Sequence, residues 1–132
     1  MKLTRLQQLG LLNKKADEAD IRQVELGVGK IPEDFQQFLD NCNGLYLNNG
    51  TKLYSTSEIV ERNKTFEVDK YAPGYLMIGD DSGGLAILIP KNTKDGMSNV
   101  YVVDQGVLDA DYMKLVSEGL IDWIENGCKL PE

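Results

Sequence analysis

The sharpest periodicity in the chain lies in "IPEDFQQFLDNCNG", residues 31–44. Phe35, Phe38, Leu39 and Cys42 recur at the i, i+3, i+4, i+7 spacing of one apolar helical stripe. Pro32 suits the first position of such a helix, Glu33 and Asp34 meet its positive dipole end, and Asn43-Gly44 stops it. Ile31 is a poor N-cap. An earlier helix is predicted over residues 17–26, where "DEADIRQVELGV" opens on acidic residues and sets Ile21, Val24 and Val28 near one face; "GVGK" follows as a loop.

Beyond residue 44 the period shortens. "LYLNNGTKLY" predicts two short strands about a turn at Asn49-Gly50. "STSEIVERNKTF" offers Ser55, Thr56 and Ser57 as caps and reads either as a short helix or as an irregular edge. Strands are predicted over 75–78, 85–89 and 100–103. The middle one is apolar at every position, which predicts a central strand covered on both faces. The connections "GDDSGG" and "PKNTKDGMSN" are short and rich in turn formers, as in an antiparallel meander. "LVSEGLIDWIENG" sets Val116, Leu120, Trp123 and Ile124 along one face of a closing helix, with Gly127 beyond its end. Two N-terminal helices, an antiparallel β-meander and a C-terminal helix make an α+β fold packed around one core. No repeat or linker divides the 132 residues. A single domain over 1–132 is therefore expected, with 1–16 an N-terminal extension whose structure the pattern does not specify.

Charge narrows the choice of partner. The formal net charge is −7. Residues 1–30 hold six Lys/Arg against four Asp/Glu, a net of +2, and residues 31–132 hold eight against seventeen, a net of −9. Such a body repels phosphate backbones, so direct nucleic-acid binding is disfavoured. It is either a solvated surface or a negative face that steers a basic protein partner. No apolar run is long enough to cross a bilayer and no signal peptide is readable, so a cytoplasmic location with no membrane contact is expected. Cys42 and Cys128 each end an apolar helical pattern and are expected in the core as free thiols.

The most suggestive letters for chemistry are "GDDSGG", residues 79–84. A protease serine needs a histidine base, and the chain contains no histidine. A phosphate cradle needs glycines opening onto a helix, whereas these open onto "LAILIP" beside Asp80 and Asp81. "GVGK" lacks the first Walker glycine, with Val24 in its place, and Ile31 replaces the magnesium-binding Ser/Thr. Neighbouring strand carboxylates rarely chelate one ion, and the zinc and calcium patterns fail. No cofactor, no metal and no catalytic residue are expected, and the stretch reads first as a turn. Gly79, Gly83 and Gly84 can take positive φ without penalty. Asp80, Asp81 and Ser82 can cap loop amides, leaving a carboxylate-rich knuckle suited to an Arg or Lys from another molecule.

In order and spacing these segments resemble the SUKH superfamily, which includes bacterial immunity proteins and fungal cell-wall-synthesis regulators. The resemblance runs over roughly residues 17–125. "IPEDFQQFLDNCNG" is similar to the family's Leu-Pro-x-acidic-aromatic segment ending in Asn-Gly, and "LYSTSEI" follows the first short strands. "YLMIGDDSGGLAILIP" is similar to its Ile-Gly-acidic-x-x-Gly strand pair, with "VYVVDQG" as the next strand and "LVSEGLIDWIEN" as the closing helix. The chain departs from the pattern in its aliphatic Leu85-Ala86, where the family often has an aromatic, and in Gly119-Leu120. The resemblance implies a non-enzymatic antitoxin that binds and occludes a cognate polymorphic toxin domain, a basic nuclease among the options. Asp80, Asp81, Ser82 and Asp104 are the partner-binding candidates. The alternative is an intracellular regulator or scaffold that binds an endogenous protein.

Overall fold

Seven strands pair in strict chain order, every pair antiparallel, in a computed structural model that describes residues 3–93 and 95–131. Helix α1 (Leu3–Leu9) runs directly into strand β1 (Gly10–Leu12). α2 (Glu18–Val28) and α3 (Glu33–Asn41) precede the hairpin of β2 (Leu45–Leu47) and β3 (Lys52–Leu53). α4 (Thr56–Thr65) and the single turn α5 (Val68–Tyr71) lead to β4 (Tyr75–Asp80), β5 (Leu85–Pro90) and β6 (Val100–Asp104). A 3-10 turn (Ala110–Tyr112), β7 (Lys114–Ser117) and α6 (Leu120–Glu125) close the chain. The fold is α+β, with a strand meander between helices at both ends.

Local chemistry accounts for the helix ends. Asp17 caps α2 in a reciprocal box with Asp20, and Ser55 does the same for α4 with Glu58. That second box decides the open reading of residues 55–66 in favour of a helix. α2 packs on α4, α4 and α5 pack on β4, and α3 packs on α6. Gly27 permits the α2–α4 approach, because a β-carbon there would fall 2.7 Å from a Val60 methyl. Phe35, Phe38, Leu39 and Cys42 are all fully buried, as their spacing predicts. Ala86 to Ile89 of β5 are fully buried as well, so both faces of this central strand are covered.

Three details differ from the sequence reading, and one that it left open is filled in. α3 begins at Glu33, and Pro32 stands outside it as an N-cap without a side-chain hydrogen bond. The carboxylate of Asp34 instead accepts the Phe35 amide at 2.8 Å. Val28 completes α2 and does not open a loop. Val116 belongs to β7, paired with β6, and the closing helix starts only at Leu120. The extension holds α1 and the edge strand β1, whose Gly10 lies so close to Tyr46 that a β-carbon would fall 2.1 Å from the Tyr46 carbonyl oxygen.

Cys42 and Cys128 are buried and unpaired, and burial pushes the Cys42 thiol up to about 12 and raises Cys128 also. No helix among the described residues is long and apolar enough to cross a membrane.

Candidate functional site

The register of the sheet gathers the acidic candidates at one end. Lys52 stands opposite Asp80, Asp80 opposite Ala86, and Ala86 opposite Val103. One residue further along, Leu85 stands opposite Asp104. Asp80, Asp81, Ser82 and Asp104 therefore share the end where β4, β5 and β6 turn. Asp80 and Asp81 are half-buried there, while Ser82 and Asp104 are exposed.

Much of their hydrogen-bonding capacity is spent on the turn itself. Asp80 Oδ1 accepts the Ser82 amide at 2.9 Å and its Oδ2 accepts the Tyr54 hydroxyl at 2.5 Å. Asp81 Oδ1 accepts the Gly83 and Leu85 amides at 2.8 and 2.9 Å. Ser82 Oγ donates to the Gly50 carbonyl at 2.6 Å, tying this turn to the β2–β3 turn. Asp104 Oδ1 accepts the Gly106 amide at 2.7 Å, and the Gln105 amide donates to the Gly84 carbonyl at 2.8 Å. The three segments form one hydrogen-bonded cluster, in which short polar side chains satisfy amides that the strands leave over.

Tyr54 anchors this cluster from below. It is almost wholly buried, and burial together with the Asp80 carboxylate drives its hydroxyl pKa well above the usual tyrosine value. Lys52 lies beside Asp80 in register, yet its ammonium pairs with Glu58 at 2.5 Å. Burial alone would raise Glu58, but Lys52 and the Ser55 amide more than offset that and hold its carboxyl below the usual range. The Asp80 charge is thus answered by a neutral donor, and the adjacent cation is committed elsewhere.

Glycine plays a different part here from the one its letters suggest. Only Gly84 of the three takes positive φ, at +111°, while the left-handed position inside the turn falls to Ser82 at +64°. Gly79 is required for proximity, since a β-carbon there would fall 2.2 Å from the Lys52 carbonyl oxygen. Among the described residues, no three His, Cys, Asp or Glu side chains converge so as to hold a metal ion.

Beside Asp104 lies a groove of about 590 Å³, lined by Leu85, Val103, Val107 and Tyr112, with Asp104 and Lys114 as its charged members. A larger cleft of about 800 Å³ lies between α2 and α3, where Lys15 and Arg22 stand among Asp17, Glu18, Glu25 and Asp40. Its charged lining, four acids to two bases, is acidic on balance.

Two polar anchors escape the sequence reading. Asp34, 7% exposed, accepts the Ser98 amide at 2.6 Å and the Ser98 hydroxyl at 2.8 Å, stapling the start of α3 to the chain before β6. Asn63 donates to the Met77 carbonyl at 2.8 Å and accepts the Met77 amide at 2.9 Å, standing in for a strand where β3 has ended. The one available signal for Asn63 is an asparagine inside a helix, a poor helix former that needs a tertiary reason.

Comparison with known proteins adds the family. The model of the SMI1 / KNR4 family (SUKH-1) matches residues 15–126. The chain is also similar to the uncharacterized protein YnaB of Bacillus subtilis (strain 168), 31% identical over 86 residues. That similarity covers 65% of this chain and 56% of YnaB, so the chain spans little over half the length of the relative it matches.

Proposed function

Because the chain belongs to the SMI1 / KNR4 family (SUKH-1), we propose that it acts as an immunity protein, binding a cationic toxin domain and blocking it by occlusion without catalysing a reaction. The observation that carries this reading is the convergence of Asp80, Asp81, Ser82 and Asp104 on one end of the sheet. A negative net charge of −9 over residues 31–132 reinforces it. Nuclease-type enzymes present cationic surfaces to their substrate, and an acidic rim of this kind competes for such a surface and steers the encounter. The internal hydrogen bonds of the rim favour the role, since carboxylates already fixed in place lose little entropy on binding. Asp81 and Asp104 each keep a second carboxylate oxygen for an incoming guanidinium.

The test is inhibition by purified components. A basic enzyme domain that co-purifies with the chain should lose its activity when the chain is added in equimolar amount. Full activity in that mixture would move the function to the regulator or scaffold reading.

A further inference from the structure

The groove beside Asp104 has a chemistry that an acidic rim alone does not use. Its floor is the end of three strands, where Leu85 stands opposite Asp104 and Val102 opposite Lys114. Val107 and Tyr112, from the loop between β6 and β7, are 49% and 68% exposed at its side. Large apolar side chains left exposed around a concave surface mark a place where another molecule packs.

The loop is built to keep them there. Both the Val107 and the Leu108 amides donate to the Asp104 carbonyl, at 3.0 and 2.9 Å. Leu108 is buried in a left-handed conformation at φ +42°, and its neighbour Val107 stays outside. A leucine keeps that conformation only where the surroundings fix it.

Charge decides the occupant. The groove's own lining pairs Asp104 with Lys114, but residues 104–112 add Asp109 and Asp111 with no lysine or arginine, and the neighbouring turn adds Asp80 and Asp81, so five carboxylates surround one ammonium. Asp109 Oδ1 accepts the Asp111 amide at 2.9 Å, so this carboxylate too is held in place. A second copy of the chain would bring these same aspartates against one another. A segment carrying Arg or Lys is attracted instead.

Resting on the immunity reading above, we infer that this groove seats one bulky apolar side chain from a loop of the protein partner, flanked by Arg or Lys. The groove holds the complex together, and the surrounding carboxylates set how fast it forms. Such a division follows general interface physics, in which a buried anchor governs dissociation and rim charges govern the encounter.

The test uses the whole ¹⁵N-labelled chain and short peptides at millimolar concentration, read by amide chemical shifts. Acetyl-Arg-Trp-Arg-amide should perturb the amides of Leu85, Val103, Asp104, Val107 and Tyr112. Replacing its Trp by Gly, or its two Arg by Glu, should weaken binding about tenfold, and so should Tyr112→Ala in the protein. Equal binding of the Gly peptide would overturn the apolar anchor while leaving the acidic-rim function intact. Equal binding of the Glu peptide would overturn the basic flank. Absence of perturbation, or the same perturbation on concentrating the chain alone, would overturn the assignment altogether, the latter in favour of a second copy.

Discussion

The hydroxyl of Tyr54, a residue 1% exposed, donates to Asp80 Oδ2 at 2.5 Å. A residue whose position on a hairpin turn suggests a partner-facing acid is therefore first an internal acceptor. Of the four rim residues, Asp80 is the least available to a partner, and Asp81 and Asp104 carry the reading. Tyr54→Phe should destabilise the fold by about 1–3 kcal/mol at neutral pH, because a carboxylate oxygen loses its donor.

The burial of Tyr54, together with the same bond, sets a pH dependence. The pKa of Tyr54 is raised on folding, so its stabilising effect is complete below the ordinary tyrosine value of about 10 and is lost as pH climbs above it. The stability gap between the wild type and Tyr54→Phe should accordingly shrink above about pH 10. Urea denaturation of both proteins at neutral and strongly alkaline pH checks this, and a constant gap would contradict it.

Two glycines of the turn should respond to alanine for different reasons. Gly79→Ala drives a β-carbon into the Lys52 carbonyl oxygen, backbone against backbone, and should cost about 3 kcal/mol or more. Gly84 has open space around its missing side chain, so Gly84→Ala should cost only the about 1–2 kcal/mol of a left-handed alanine. Chemical denaturation should rank the two in that order.

Asp34 is predicted to be a structural acid. Asp34→Ala leaves the buried Ser98 amide and hydroxyl without their acceptor and should cost about 3 kcal/mol. Ser98→Ala removes one of the two bonds and should cost less than half of that. A double-mutant cycle in thermal unfolding should show strong coupling between the two positions.

What the sequence revealed and what it hid follow from the range of the interactions. The stripe of Phe35, Phe38, Leu39 and Cys42 is a local periodicity, and so is the all-apolar run of β5; both were legible. Val116 fits the helical spacing of Leu120, Trp123 and Ile124, but the pairing of its neighbours Leu115 and Ser117 with β6 holds it in a strand at a break in register, and that pairing is not written in nearby residues. β1 was hidden for the same reason, since its partner β2 lies beyond two helices. Asp80, Asp81 and Ser82 were legible as turn residues, and it is the Leu85–Asp104 register that brings Asp104 beside them. The groove was not legible at all. Leu85, Tyr112 and Pro131 come from three separate segments and meet only in the folded chain.

Asparagine substitutions separate charge from structure at the rim. Asp81→Asn and Asp104→Asn keep an oxygen for the turn amides, so together they should change stability by less than about 1 kcal/mol. Alanine at either position should cost about 1 kcal/mol or more, because the amides of Gly83, Leu85 or Gly106 lose their acceptor.

The most direct measurement is affinity capture from native lysate with the tagged wild type and the Asp81→Asn/Asp104→Asn variant, over rising salt, with the bound proteins identified by mass spectrometry. An acidic immunity protein should retain one basic toxin-like domain, lose it steeply as salt rises, and retain it at least about tenfold less well in the variant. Equal retention by both proteins at every salt concentration, or recovery of housekeeping proteins alone, would contradict charge-guided binding at this end of the sheet.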